Sequence, residues 1–258
     1  MFPKLISIGD FFIPAYGVLV ALGFLAGLWS TLRLAKRAGL DGQKIQDLVI
    51  YCAITGLVGA KLMMFVFDWQ YYARNPGEMF TLATLRAAGV YQGGFLLALG
   101  FAIYYMRKNR LPVWLTMDVF APGIALGHAL GRIGCLAAGC CYGVLCERPW
   151  AVRFTNVDAK EFSNVPLNVP LHPTQIYESV GNLIIFAVLY RLFDPVKRPG
   201  GLIALYLVLY SLLRFGVEFF RHHEQAHLFG LMFSHTQWIS LGTLALGLYG
   251  LVRKPASD

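Results

Sequence analysis

The chain has 258 residues, of which 57% are hydrophobic and 14% charged, with a mean hydropathy of +0.57. A soluble domain devotes about a quarter of its residues to charged side chains, so this composition excludes an ordinary water-soluble globule and points to an integral membrane protein. The formal net charge of +8 does not signal a nucleic-acid partner, because the basic residues punctuate apolar segments as orienting charges do.

A helix needs about 20 apolar residues to cross the hydrocarbon core. On that measure seven spans are predicted in chain order, near 14–32, 46–67, 90–106, 117–138, 174–192, 202–220 and 236–252. The first is too long, and lacks the small-residue site with a polar flank, to be a cleaved signal peptide. After it come Arg33, Lys36, Arg37 and Lys44; after the third span Arg107, Lys108 and Arg110; after the fifth Arg191, Lys197 and Arg198; after the last Arg253 and Lys254. These connections fall on alternate sides and so on one face, which the positive-inside rule makes cytoplasmic. The N-terminus and the connections 68–89, 139–173 and 221–235 belong to the outer face. The expected fold is an all-α integral membrane protein: one domain over 1–258, seven transmembrane helices, an outer-face arm at 68–89 and a small outer (periplasmic) cap at 139–173. A connection of that length needs structure of its own, and "WAVRFTNV" alternates as a strand would.

Ionisable groups at bilayer depth cost about 2.5–3.5 kcal/mol each and mark functional sites by default. Here they are Lys61, His128, Arg132, Glu178, Arg214 and Glu218. In "YSLLRFGVEFFR", Tyr210, Arg214, Glu218 and Arg221 recur at helical spacing, so one stripe presents phenol, guanidinium, carboxylate and guanidinium. With Arg132 near the outer end of its own span, this reads as an anion site rather than only a helix-stabilising pair. Two guanidinium groups suit a phosphate, because each donates a planar pair of hydrogen bonds and stays charged. Glycines 127, 131, 134, 139 and 143 let helices or a headgroup approach the backbone, so a phospholipid is the expected ligand.

Cys135, Cys140, Cys141 and Cys146 are spaced by five, one and five residues, unlike the paired C-x-x-C knuckles of structural zinc. Packing in a tight helix end is the first reading; a disulfide on the oxidising face or a metal stays open behind it. "LHPTQIYES" reads as a helix start with His172, Gln175 and Glu178 near the outer interface. His222, His223, His227 and His235 are too unevenly spaced for a metal site and read as solvated surface residues.

At this point the sequence resembles the phosphatidylglycerol:prolipoprotein diacylglyceryl transferases of bacteria. The resemblance rests on the order and spacing of "PAYG" (14–17), "GAKLMM" (59–64), "YQGG" (91–94), "GHALGRIGCLAAGCCYG" (127–143), "HPTQIYE" (172–178) and "YSLLRFGVEFFR" (210–221). It implies a monomeric multi-pass enzyme of the bacterial cytoplasmic membrane, N-terminus outside and C-terminus inside. Such an enzyme transfers the diacylglyceryl group of phosphatidylglycerol to the lipobox cysteine of preprolipoprotein signal peptides, forming a thioether and releasing glycerol 1-phosphate. The family's essential arginines fall on Arg132 and Arg214, its tyrosines on Tyr16 and Tyr210, its helix-six carboxylate on Glu218 and its signature glycine on Gly143. Lys61, Gly93, Gly94, His128, Cys135, His172, Gln175, Glu178 and Arg221 are expected to line the substrates.

This sequence departs from the family in two places. Gln92 stands where many members have a histidine before the paired glycines, and Cys135 where asparagine follows "GRIG". Glutamine donates and accepts hydrogen bonds but takes no proton at neutral pH, so a histidine-based mechanism does not transfer unchanged. Arg132, Arg214, Glu218, Gln92 and Tyr210 are the expected catalytic residues. The arginines would hold the phosphate, Glu218 would be the first choice of proton acceptor ahead of His128 or water, and Gln92 would orient lipid or thiol. No metal and no organic cofactor is expected, since an activated lipid and a substrate thiol supply the chemistry. A transporter would more often show repeated halves, and a thiol redox protein a C-x-x-C. A phospholipid-binding paralogue without catalysis is the remaining alternative.

Overall fold

The computed structural model describes residues 3–8, 11–81, 84, 89–195, 197–221 and 233–253. They form two compact units, the described residues of Met1–Ala38 with Trp114–Ser257, and those of Gly39–Val113. Seven helices of 18 residues or more run through them: α1 (Ala15–Arg37), α2 (Gly42–Phe67), α4 (Tyr91–Lys108), α5 (Val113–Ala138), α7 (Thr174–Leu192), α8 (Gly201–Glu218) and α9 (His235–Val252). Short helices α3 (Trp69–Arg74) and α6 (Val157–Ser163) lie in the connections, with a 3-10 turn at Pro76–Phe80. The chain is a helical membrane protein; α1, α2, α5 and α8 are each long and apolar enough to cross a bilayer. Large apolar side chains such as Leu57, Phe67 and Leu246 lie open on the helix surfaces, as lipid-facing residues do.

In the larger unit, α1 and α5 meet through small residues. A β-carbon on Gly27 would lie 2.9 Å from the Gly123 carbonyl oxygen, and one on Gly23 3.0 Å from that of Gly127. The two glycine pairs are each four residues apart, the spacing that brings helix backbones together where lipid provides no hydrophobic drive. A second constraint comes from a charge inside a helix. Asp118, early in α5 and 4% exposed, accepts from the backbone N–H of Gly200 and of Ile203, both at 2.7 Å. Gly200 is the N-cap of α8 and has no capping side chain of its own. A carboxylate from another helix therefore satisfies the orphan donors and complements the dipole.

Two local structures differ from the sequence expectation. At the N-terminus, β1 (Lys4–Ile8) pairs antiparallel with β2 (Phe11–Pro14); short apolar runs do not distinguish strand from helix by periodicity. Lys4 Nζ then sits 2.7 Å from Asp158 Oδ1 on α6. Within 139–173 the strand expected over 150–157 is confined to β3 (Val152–Arg153), paired with β4 (Pro170–Leu171). Asn156 stops it by capping α6, its side chain accepting from Asp158 N at 2.8 Å. This segment has its own small core of Phe154, Ala159, Val165 and Leu171.

In the smaller unit α2 and α4 pack face to face, with Gly59 against Gly93 and Gly56 against Gly94. Asp41 caps α2 by accepting from Gln43 N and Lys44 N.

Replacing Asp118 by Ala leaves the first turn of α8 with two unsatisfied N–H groups. It is expected to cost about 2 kcal/mol, read as a lowered thermal midpoint in detergent; an unchanged midpoint would mean that water or a lipid headgroup caps the helix equally well.

Candidate active site

The centre of the larger unit is the carboxylate of Glu178, on the second turn of α7 and 2% exposed. Arg132 Nε on α5 lies 2.8 Å from its Oε2. Arg214 Nη1 on α8 and Arg221 Nη1 just beyond it lie 3.7 and 3.8 Å from its Oε1. Arg214 Nη1 is also 2.6 Å from Glu218 Oε2, while Ser234, the N-cap of α9, donates its hydroxyl to Glu218 Oε1 at 2.9 Å. The expected stripe on α8 is thus real in its arginine–carboxylate part. Three guanidinium groups against two carboxylates leave one positive charge over, and guanidinium does not deprotonate in proteins. The contact of Arg132 with Glu178 is through its Nε, and the charge left over suits the group to an anion.

Aromatic rings wall the cluster below. Tyr210 stacks on Tyr206 with ring centroids 5.6 Å apart, and the His128 ring lies 5.3 Å from that of Tyr210. His128 Nδ1 is 3.3 Å from the Tyr206 hydroxyl. His128 and Tyr210 are therefore neighbours, joined through the phenol of Tyr206.

On the other side the chain leaves α5 by a tight turn that the residue order dictates. Gly139 is left-handed at φ 82°, Cys140 N donates to Cys135 O at 3.1 Å and Gly139 N to Leu136 O at 3.3 Å. These are the two bonds of a Schellman helix end, for which glycine is the usual residue. Cys141 is also left-handed, at φ 61°, a conformation that costs a residue with a β-carbon about 1–2 kcal/mol. The turn is tied down by the start of α7: Thr174 Oγ1 donates to Cys141 O and Gln175 Nε2 to Cys140 O, both at 2.7 Å. Gln175 is thus a tether of the cysteine turn. The Sγ atoms of Cys135, Cys140 and Cys141 consequently lie within 4.8 Å of one another. Hydrogen bonds from Cys135 and Cys140, and then the positive charge of Arg221 and Arg132, hold the Cys141 thiol below the usual thiol range.

Two residues later Gly143 threads between strand-like neighbours. Its N–H donates to His172 O at 3.0 Å, and its backbone bridges to Arg221. A β-carbon there would collide with the Phe220 carbonyl oxygen and lie 2.6 Å from His172 Cβ. Gly143 thereby sets the place of Arg221. His172 packs on Phe220 with centroids 5.1 Å apart, and its Nδ1 is 3.1 Å from the Tyr177 hydroxyl. Tyr16, at the start of α1 and half-exposed, lies against the same turn: a β-carbon on Gly134 would be 3.2 Å from Tyr16 Cδ2.

Lys61, Gln92, Gly93 and Gly94 belong to the smaller unit. Lys61 Nζ donates to Thr84 O at 2.6 Å, beside Phe65, Met79 and Phe80. Gly93 and Gly94 are buried in the α2–α4 contact, and Gln92 is exposed on the first turn of α4. His222, His223 and His227 lie outside the described residues. Sequence reading passed over Ser234, although Ser234 and Gln237 form a capping box with the S-x-x-Q spacing such boxes show. It also passed over Ser179, which fixes α7 to α5 by donating to Ala129 O at 2.9 Å. A serine inside an apolar run carries no comparable sequence signal.

Comparison with known proteins gives one consistent result. Residues 3–253 match the family model described as prolipoprotein diacylglyceryl transferase. Proteins named phosphatidylglycerol–prolipoprotein diacylglyceryl transferase are similar over nearly the whole chain. That of Clostridium tetani (strain Massachusetts / E88) is 32% identical, covering 96% of each chain. That of Synechococcus elongatus is 32% identical, covering 97% of this chain and 86% of its own, and one from Dehalococcoides mccartyi is 31% identical, covering 95% and 91%.

Glu178→Gln removes the charge on which three arginines converge, and the expected cost is about 3–5 kcal/mol, measured as loss of the folded fraction on heating in detergent. Gly143→Ala is expected to cost about 1–3 kcal/mol by overpacking. If Gly143→Ala matched the parent midpoint, the Phe220 and His172 backbone would have to be free to yield.

Proposed function

The chain belongs to the prolipoprotein diacylglyceryl transferase family, and from that premise we propose that the arginines gathered on Glu178 are the phosphate clamp of its reaction. It is a membrane transferase that moves the diacylglyceryl group of phosphatidylglycerol to prolipoprotein. The acceptor is the thiol of a lipobox cysteine, the product a thioether, and the leaving group glycerol 1-phosphate. The observation that carries this reading is the convergence of Arg132, Arg214 and Arg221 on Glu178, where three guanidinium groups face two carboxylates among the described residues.

Arg132 and Arg214 take the phosphate oxygens and stabilise the charge that grows on the departing glycerol phosphate. Each well-placed donor of this kind is worth roughly 3–4 kcal/mol. A free thiol near pKa 8.5 supplies only a few per cent of thiolate at neutral pH, and the same positive field favours the thiolate of the incoming cysteine. Glu218 uses one oxygen on Arg214 and the other on Ser234, so its part is to aim Arg214 rather than to accept the proton. Tyr210 and His128 line the lipid side of the clamp, with Tyr16 beside the cysteine turn. Gln92 contributes hydrogen bonds to lipid or thiol.

The positions of the basic residues support seven spans along α1, α2, α4, α5, α7, α8 and α9, with the N-terminus outside, the C-terminus in the cytoplasm of a bacterial cell, and 139–173 as the outer cap. The protein acts as a monomer, and its partners are phosphatidylglycerol, lipobox signal peptides and the surrounding lipids.

The test is turnover by the purified protein in detergent with phosphatidylglycerol and a lipobox peptide, following glycerol phosphate release and peptide mass. Release is expected only with the cysteine peptide and with a diacylglyceryl mass gain; binding of the lipid without release would sink the catalytic reading. Arg214→Lys keeps the charge but loses the planar fork and is expected to lower turnover at least about 100-fold. Gln92→His is expected to be tolerated, and a folded but inactive Gln92→His would show that this branch uses another geometry at that position.

A further inference from the structure

The reaction leaves one chemical need unmet: a group that makes the acceptor thiol a thiolate, with Gln92 unable to take a proton and Glu218 committed to Arg214 and Ser234. The unused feature beside the clamp is the thiol cluster. Cys135 is on α5 one turn beyond Arg132, and Cys140 and Cys141 are in the turn that follows. We propose that Cys135, Cys140 and Cys141 bind one zinc ion, whose open fourth position takes the thiol of the acceptor cysteine as a thiolate.

Three observations support it. First, zinc–thiolate bonds of about 2.3 Å in a tetrahedron put sulfurs about 3.8 Å apart, and all three Sγ atoms already lie within 4.8 Å of one another. Side-chain rotation alone can close that difference. Second, the ligands are held from behind: the carbonyls of Cys140 and Cys141 are pinned by Gln175 and Thr174, and the Schellman turn fixes both relative to Cys135. Outer partners that fix ligand orientation are what metal sites require. A disulfide would join two of these sulfurs and orphan the third, whereas a metal uses all three. Third, Cys135 is one turn beyond Arg132 on the same helix, so an ion held by the cluster adjoins the clamp at which the acceptor thiol is needed.

Three protein ligands with one open position is the arrangement of catalytic rather than structural zinc. Cys135 is buried while Cys140 and Cys141 are partly exposed, so the cluster is reached from the side of the latter two. The step balances without any redox partner. The acceptor thiol gives its proton to water as its sulfur binds zinc. Its electron pair then forms the bond to the glyceryl carbon, the carbon–oxygen bond breaks, and that pair leaves on glycerol 1-phosphate held by the arginines. The thioether formed is a weak ligand and is replaced by water, while zinc stays divalent throughout.

This inference rests on the transferase reading, and its test separates the two. The full chain, purified in detergent under reducing conditions, is expected to hold one zinc per chain by elemental analysis. Cys135→Ala, Cys140→Ala and Cys141→Ala are each expected to lose it, while Cys52→Ala and Cys146→Ala keep it. With Co2+ replacing zinc, a sulfur-to-cobalt charge-transfer band is expected. Its tetrahedral visible bands should shift when a lipobox cysteine peptide is added and stay put with the serine peptide. Wild-type protein without zinc, a disulfide within the cluster of the active protein, or a cobalt spectrum blind to the cysteine peptide would overturn the inference. Full transfer by the metal-free protein would overturn it too, and would leave the transferase reading standing. Zinc bound through the three cysteines in a protein that transfers nothing would leave the metal site and sink the reading it rests on.

Discussion

The site depends on one buried carboxylate. Three guanidinium groups repel one another and are costly to bring into low dielectric, and here they come from two stretches of chain, α5 and the end of α8. Glu178 is where those costs are offset, and it can be so because α7 is held in register. Ser179, next in sequence, donates to Ala129 O on α5, and Asn182 donates to the Glu178 carbonyl itself at 2.8 Å. Glu218 adds the second carboxylate and is aimed in turn by Ser234. Among the described residues three guanidinium groups face two carboxylates, so these ion pairs leave one positive charge over.

Much of this could be read from the amino acids, and the division follows physical range. The stripe of Tyr210, Arg214 and Glu218 follows from helical periodicity, whereas Arg221 lies past the end of α8; seven long helices were legible as apolar runs. Gly143 was marked by resemblance, but its reason, backbone packing between Phe220 and His172, needs three segments in space. Glu178 was expected near the ligand; that it gathers three arginines depends on contacts reaching from residue 132 to residue 221. Asp118 was invisible because its partners are 82 residues or more away. The cysteine spacing argued against a metal when judged by linear motifs, and only the turn at Gly139 and Cys141 brings the three sulfurs together.

The two departures from the family's usual residues belong to one chemical question. Where the resemblance implies a histidine the chain has Gln92, which takes no proton at neutral pH, and where it implies an asparagine the chain has Cys135. Deprotonating a thiol by coordination and deprotonating it by a base are alternative solutions to the same problem, and the proposed metal site is the first of the two.

The Asp118 cap also bears on how the protein is made. Its acceptors are synthesised before the donors they serve, since Gly200 follows Asp118 by 82 residues. At about 5–20 residues per second, α5 waits on the order of ten seconds for these two donors. Completion of α8 supplies them, so this pair of hydrogen bonds forms only once the chain has reached its sixth long helix.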